Sequence, residues 1–497
     1  MTPMDLNAYQ HRAEEFLTEI GREFYTVGAG LKDRLEIAAI YDRYADLFAE
    51  SAVRGLLDQM DSTQYRAEAR LVRYLAEFAV GGYLDNRVKA LSEAITNAEL
   101  AATVPWDGEE VPYQQVLVLL RNEPDRARRQ ALGDLYYSRM AKANPLRAER
   151  WNTLHDEAQR LGFADYVALC DRLHWLNLRP LARQMVRFLD ETEAVYEARL
   201  AARLEAIDVP REEAHINDIA RLFRADEFDR LFPAERLVDA LRRTLAGMGI
   251  DLDAQPNLRL DLEMRPLKSP RAFCSPVRVP AEVYLVIKPQ GGQDDYSALL
   301  HEAGHAEHYT HVEADLPFAF RYLGDNSVTE SYAFLMEHLL HNRRWLQEVL
   351  GASAEDAEAF IRFSLFQKLW FLRRYAAKLN YELELHSGPV DGQGGTYVYW
   401  LERAGRVRVP EERYLSDVDD AFYVAQYLRA WTLEMHWRGH LERTYGEDWF
   451  NRPEAGEFII SQWRLGQRDN ADELAARLGS AGLDVTPLIE EALAAES

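Results

Sequence analysis

The segment His301-Glu302-Ala303-Gly304-His305 places two imidazoles and one carboxylate within five residues. Residues four apart lie on the same face of a helix, so both histidines can bind one metal ion there. The glutamate between them is then positioned to act on a water molecule at that ion. The pattern predicts the zinc-binding helix of a peptidase, provided that a third ligand and a substrate site accompany it.

A third ligand is predicted downstream of this helix. Glu330 follows His301 by 330 − 301 = 29 residues, in VTESYAFLMEHL, where apolar residues are spaced as in a buried helix. A second helix packed beside the first would bring this carboxylate to the metal, and a catalytic zinc keeps its fourth position for water. Glu307 and Glu313 are weaker candidates because they lie too close along the first helix. Glu302 is the predicted general base.

Two more side chains lie near this set in the sequence. His308 continues the helical spacing of the two histidines, and we expect either a contact to substrate or ligand, or a packed or solvated side chain. Glu337 lies seven residues after Glu330 and so on the same helical face. It is predicted either to hydrogen-bond a ligand imidazole, which would fix the tautomer of that ring, or to form a buried salt bridge.

Composition excludes several classes of partner. The chain has 497 residues, with 82 acidic and 58 basic side chains and a formal net charge of -24. Such a charge repels nucleic acid and anionic lipid, so neither is expected as a partner. Two cysteines far apart predict no disulfide framework, and the start of the chain lacks the pattern of a signal peptide. We therefore expect a cytoplasmic protein.

Periodicity predicts the fold class. Helical patterns fill the region between Pro3 and Pro105 and continue over about 125–205, with breaks near Pro145 and Pro180. After Pro256 an alternating stretch and the apolar run VYLVI at 283–287 predict a small sheet, whose prolines favour an edge. We expect a mainly α protein of two helical lobes around a deep substrate cleft, with one small β-sheet next to the zinc-binding helix. A helical N-terminal lobe at 1–205 and a zinc-binding catalytic region at 206–497 are expected to interlock.

These residues resemble the thimet oligopeptidase and oligoendopeptidase F family of zinc peptidases. The likeness rests on HEAGHAEH at 301–308, on TESYAFLME at 329–337, and on the order of strand, Gly turn, zinc helix and Glu helix. It implies one zinc ion held by His301, His305 and Glu330, with Glu302 as the base. It also implies a mainly helical fold with a channel that admits short peptides. The resemblance covers about 265–435.

The resemblance extends to a late segment, DAFYVAQYLRAW at 420–431. It implies that Tyr423 and Tyr427 stabilise the oxyanion of the tetrahedral intermediate, and a phenol is a suitable donor for that purpose. Family members often have a histidine shortly before these tyrosines, but none occurs here between His386 and His436. His386, beside the Gly-rich stretch GPVDGQGG at 388–395, is a candidate substitute.

The predicted function is hydrolysis of peptide bonds in short oligopeptides by a zinc peptidase. An exopeptidase of the carboxypeptidase Taq or angiotensin-converting type is an alternative within the class. A peptide-binding protein that keeps zinc without turnover is an alternative from another class, against which the intact Glu302 argues. Cleavage preference and oligomeric state stay open.

Overall fold

The computed structural model describes residues 4–63 and 65–494. Two compact units are present, each assembled from three segments of the chain. The first unit comprises Met1–Tyr83, Asp226–Ser364 and Arg429–Asp484, and the second comprises Leu84–Ala225, Leu365–Leu428 and Val485–Ser497. The predicted boundary between residues 205 and 206 falls within the second unit, and that division stays a prediction about where the catalytic region begins.

Helices dominate the described residues, as predicted. Those that precede the larger sheet are α1 (Leu6–Gly28), α2 (Ile37–Arg43), α3 (Glu50–Ser62), α4 (Arg66–Leu100), α5 (Val116–Asn122), α6 (Arg126–Ala141), α7 (Asn144–Arg160), α8 (Tyr166–His174), α9 (Leu178–Glu191), α10 (Glu193–Glu205), α11 (Ile216–Leu222) and α12 (Leu237–Gly247). Those that follow it are α13 (Gln293–His311), α14 (Phe318–Tyr322), α15 (Asn326–Glu337), α16 (Arg343–Glu348), α17 (Ala354–His386), α18 (Gly394–Gly405), α19 (Tyr423–Tyr445), α20 (Pro453–Trp463), α21 (Ala471–Arg477) and α22 (Thr486–Ala494). Within the described part of the chain, no helix combines the length and apolarity that crossing a bilayer requires.

A hairpin that the sequence reading missed lies in the second unit. Strands β1 (Thr103–Trp106) and β2 (Glu109–Pro112) pair antiparallel around a two-residue turn. Asp107 and Gly108 both have positive φ angles, 52° and 84°, which the Asp-Gly hairpin turn requires. Each strand has only four residues and contains a proline, so the sequence shows no alternation of apolar and polar residues that would predict a strand. The hairpin is thus a second small sheet beside the expected one, and the mainly α class is confirmed.

The predicted sheet lies in the first unit and has three strands in the order β3-β5-β4. Strand β5 (Glu282–Val286) is central and apolar, parallel to β3 (Leu258–Asp261) and antiparallel to β4 (Phe273–Arg278). Pro276 lies in β4, at the edge of the sheet, as its missing N–H requires. Asp261, at the end of β3, is buried, and the ammonium group of Lys268 lies 3.0 Å from its carboxylate.

One face of this sheet packs on α1. Val277, Tyr284 and Val286 form a buried cluster there with Ala29, and Phe273 packs against it. The close fit is visible at Gly28, where an added Cβ would lie 2.7 Å from the ring of Phe273. The sheet is thus held from one side by α1, and β4 and β5 also pack against α13.

Helices α13 and α15 approach each other at Gly304, inside the five-residue motif. A Cβ at this position would lie 2.6 Å from the Cα of Ala333 and 2.7 Å from the carbonyl oxygen of Tyr332. Both neighbours are backbone atoms of α15, so the two helices are in backbone contact. The side chains of α15 that face α13 therefore lie next to the histidines of α13. Asp325 caps the start of α15 by accepting a hydrogen bond from the backbone N–H of Ser327.

We predict that Gly304→Ala lowers the free energy of unfolding by about 1–3 kcal/mol, because the new methyl group forces the two backbones apart. Denaturant unfolding of the purified protein measures this change. Gly81→Ala is the matched control, since Gly81 lies exposed on α4 with nothing within 4 Å of the added Cβ. That substitution should stabilise the protein by up to about 1 kcal/mol through helix propensity. Equal stability of Gly304→Ala and the wild type would contradict the close approach.

Candidate active site

Three side chains from α13 and α15 converge in the first unit. The Nε2 atoms of His301 and His305 lie 3.3 and 3.5 Å from the same Oε2 atom of Glu330. One ligand atom from each residue lies within 4.8 Å of the other two, so the three side chains could hold one metal ion. The structure therefore brings together the three residues that the sequence predicted as metal ligands.

Both histidine rings are oriented by a hydrogen bond at the nitrogen that points away from Glu330. The Nδ1 atom of His301 lies 3.0 Å from the Oε2 atom of Glu337, and the Nδ1 atom of His305 lies 2.9 Å from the Thr329 hydroxyl. Ser297, one turn before His301, in turn donates to Glu337 at 2.7 Å. Hydrogen bonds of this kind fix the tautomer and leave Nε2 as the ligating atom. The donor set therefore fits a metal ion.

Without a metal ion, the interactions between the three side chains favour a protonated His301 and an ionised Glu330. Burial opposes protonation of His301, but its hydrogen bonds to Glu330 and Glu337 outweigh that cost and raise its pKa to about 10. For Glu330, burial would raise the pKa, and the hydrogen bonds from His301 and His305 lower it below its ordinary value. The carboxylate is thus ionised, which is the state that a metal ion requires. Two imidazoles and one carboxylate are a known ligand set of catalytic zinc.

Glu302 is held by the edge of the sheet. The backbone N–H of Cys274 in β4 donates a hydrogen bond to its Oε2 atom at 2.8 Å. Because Glu302 follows His301 directly on α13, its backbone is as rigidly placed as the ligands themselves. The contact connects the predicted base to the strand at the sheet edge, a link that no sequence pattern indicated.

His308 is completely buried, so a contact to substrate is ruled out for this side chain. Its Nδ1 atom lies 3.1 Å from the hydroxyl of Thr329, the same hydroxyl that His305 contacts. Burial, with the nearby His305, lowers the pKa of His308 to about 3, so the ring is neutral. Sequence reasoning passed over Thr329, although its position directly before Glu330 was a usable signal. Ser297 was also missed, one helical turn before His301.

The two predicted oxyanion residues lie in the second unit, on the first turns of α19. The ring centroids of Tyr423 and Tyr427 are 4.9 Å apart, and Tyr427 also packs near Tyr375 at 5.7 Å. Both tyrosines are partly exposed, whereas Val424 and Ala425 between them are fully buried. The pair is therefore not part of a closed core, and its catalytic role stays a prediction.

His386 does not reach solvent and is not available to a substrate. It is 2% exposed and lies in a cage of aromatic rings in the second unit, with its Nδ1 atom 2.9 Å from Nε2 of His155. Burial, with His155 adding to it, holds the pKa of His386 well below its ordinary value. Its ring packs 5.1 Å from that of Phe422, the residue before Tyr423. His386 thus supports the start of the tyrosine helix and replaces no missing donor.

The turn that leads into this helix is strained. Ala421 and Phe422 both have positive φ angles, 53° and 54°, a conformation that L-residues adopt at a cost. Two hydrogen bonds hold the turn: the Ala421 N–H donates to the Tyr166 hydroxyl at 3.0 Å, and the Asp419 N–H donates to the buried Glu382 carboxylate at 2.9 Å. Strain that neighbouring groups maintain is frequent next to functional residues.

We predict that Ala421→Gly leaves the free energy of unfolding unchanged or raises it by up to about 1 kcal/mol, because glycine adopts this conformation without strain. The same change at Ala201, exposed on α10, is the control and should cost about 1 kcal/mol. Thermal and denaturant unfolding of both variants measure the difference. Losses of equal size at the two positions would show that the turn at Ala421 is unstrained.

The architecture is similar to that of solved peptidases. A putative oligoendopeptidase F from Bacillus anthracis str. Ames aligns over 97% of this chain and 88% of its own, with 17% identity and a TM-score of 0.66. A structure of PZ peptidase A with an inhibitor aligns over 97% of this chain and 90% of its own, with 15% identity and the same TM-score. No family model and no curated protein sequence matches the chain. The predicted resemblance is confirmed at the level of the fold, which this chain shares with the two peptidases.

Proposed function

We propose that the protein is a zinc-dependent peptidase that hydrolyses peptide bonds in short oligopeptides. The observation that carries this proposal is the convergence of His301, His305 and Glu330 within 4.8 Å, with Glu302 adjoining a ligand on the same helix. A structural zinc site would normally provide a fourth protein ligand and has no use for a base beside the metal. The shared fold with an oligoendopeptidase F and a PZ peptidase supports the same reading.

His301, His305 and Glu330 would hold the ion through two Nε2 atoms and one carboxylate oxygen. Bound zinc supplies Lewis-acid chemistry, since it lowers the pKa of water and polarises a carbonyl group. Glu302 accepts the proton of the attacking water and passes it to the amine that leaves. Its Oε2 atom accepts a hydrogen bond from the Cys274 N–H, and we assign the proton transfer to Oε1. Glu337 and Thr329 keep the ligand rings oriented through their Nδ1 atoms.

Tyr423 and Tyr427 are the proposed donors to the oxyanion that forms when water adds to the peptide carbonyl. Their partial exposure supports this role because a hydroxyl must be accessible to bind substrate. Their rings pack edge to face, with an interplanar angle of 61°, which restricts the directions in which the hydroxyls point.

We predict that Glu302→Gln loses roughly 10²- to 10⁴-fold in kcat on a mixture of oligopeptides, because the amide cannot accept the proton. The variant should retain one zinc ion per chain by metal analysis, since the ligands are unchanged. Glu313→Gln, at an exposed position just beyond α13, is the matched control and should keep full activity. Equal turnover by Glu302→Gln and the wild type would refute the proposed mechanism. Stoichiometric zinc and peptide binding without any cleavage would instead indicate a binding protein.

Replacing the tyrosines one at a time tests the oxyanion role. We expect Tyr427→Phe or Tyr423→Phe to lower kcat by about 10²- to 10³-fold with a smaller change in KM, because the hydroxyl acts on charge that develops only in the transition state. Tyr399→Phe is the control, since that ring is 59% exposed on α18. If both tyrosine variants keep full kcat, these residues have no oxyanion role. Product masses from the same assay separate internal cleavage from release of terminal residues.

A further inference from the structure

Thr329 lies between two histidine rings in the first unit. Its hydroxyl oxygen is 2.9 Å from Nδ1 of His305 and 3.1 Å from Nδ1 of His308. Thr329 is 1% exposed and His308 is 0% exposed, so no solvent reaches the hydroxyl to supply other partners. A single hydroxyl group therefore connects a predicted metal ligand to a buried histidine that the proposed chemistry does not use.

The directions of these two hydrogen bonds follow from counting protons. His305 turns Nε2 toward Glu330, and a ligating nitrogen uses its lone pair, so the proton of the neutral ring is on Nδ1. That N–H donates to the Thr329 oxygen. The hydroxyl has one hydrogen of its own, which Nδ1 of His308 at 3.1 Å can accept in competition with the phenolic oxygen of Tyr309, and we assign it to His308. Thr329 thus accepts from one ring and donates to the other.

We propose that His308 is a positioning residue that acts through Thr329 to fix the tautomer and orientation of His305. The proposal rests on the proposed function in taking His305 as a zinc ligand. His308 must then present a lone pair at Nδ1 and carry its proton on Nε2. An acceptor at Nδ1 keeps the Thr329 hydrogen away from His305, and only then can the threonine oxygen receive the N–H of the ligand ring.

The surroundings of His308 suit this arrangement. The Nε2 atom of His308 is buried and has no hydrogen-bond partner among the described residues, but the nearby backbone of Gly466 favours a proton on the ring. Gly466 itself is fixed in place, because a Cβ there would lie 2.4 Å from the carbonyl oxygen of Phe320. Tyr309 also interacts with the Thr329 hydroxyl. The threonine oxygen has two lone pairs, so it can accept from both Tyr309 and His305 while it donates to His308.

The two ligand histidines are thus oriented by different chemistry. His301 faces the carboxylate of Glu337, whereas His305 faces a neutral hydroxyl backed by a neutral imidazole. Glu302, Glu330 and Glu337 would already place three carboxylates around the two positive charges of a zinc ion. Another carboxylate behind His305 would add further negative charge and weaken the ion as an electrophile. The neutral pair orients the ring without adding charge.

The tautomer of His308 is directly measurable. In a protein with ¹⁵N-labelled histidine, two-bond ¹⁵N–¹H correlation spectra distinguish a proton on Nε2 from one on Nδ1. The signal of His308 is identified by its loss in His308→Asn. We expect the Nε2–H tautomer both in the metal-free protein and with zinc. A proton on Nδ1 of His308 would overturn the proposal, and this result does not depend on peptide cleavage.

Zinc affinity, measured by competition with a chromophoric chelator, tests the coupling. We expect Thr329→Val to weaken zinc binding by about 10- to 100-fold, because the valine removes the acceptor for His305. Thr329→Ser keeps the hydroxyl and should stay within a few-fold of the wild type. His308→Leu should weaken binding as well, and His308→Asn should restore it, since its Oδ1 atom occupies the place of Nδ1 and accepts the same hydrogen bond.

The double variant Thr329→Val with His308→Leu decides between positioning and simple packing. If His308 acts through Thr329, the double variant binds zinc no more weakly than Thr329→Val alone. Additive losses would overturn the proposal, as would wild-type affinity of His308→Leu. Denaturant unfolding of each metal-free variant separates a loss of stability from a loss of affinity. Failure of Glu302→Gln to abolish cleavage would refute the proposed function while leaving this coupling intact.

Discussion

The backbone contact between α13 and α15 at Gly304 is the constraint on which the candidate site depends. A carboxylate side chain is short, and Glu330 reaches both histidine rings only because the backbone of α15 lies within van der Waals distance of α13. The same approach brings Thr329 to His305 and Glu337 to His301. A larger residue at position 304 would weaken all four of these contacts at once. The small residue inside the motif is therefore as necessary as the residues that carry the chemistry.

Burial in this region divides the polar groups by charge. His301 lies between two carboxylates and favours its protonated state when no metal is bound, because the hydrogen bonds that it donates to Glu330 and Glu337 outweigh the cost of burial. Among the described residues, no carboxylate acts on His308, and burial keeps its ring neutral. The side of the site at His301 therefore carries two carboxylates, whereas the side at His308 carries no charge on the imidazole. In a buried site such differences are large, since little solvent is present to screen them.

The periodicity of the sequence was sufficient for the helical class and for the position of the larger sheet. It was also sufficient to place His301 and His305 on one helical face, whereas the approach of Glu330 depends on a second helix that packs beside the first. It did not indicate the β1–β2 hairpin, whose strands are too short for alternation to be visible. It also gave no indication that Lys268 pairs with the buried carboxylate of Asp261 at 3.0 Å.

The sequence by itself determined which residue types lie together on one helix, and so predicted a metal-binding face and its base. Only the tertiary structure decided what surrounds them. Cys274 reaches Glu302 from 28 residues away, and Thr329 reaches His308 from 21 residues away. His386, which the sequence offered as a donor to substrate, is buried against Phe422 instead. The physical reason is that spacing along a helix is set by local backbone geometry, whereas the partner of a buried polar group is set by which elements pack against it.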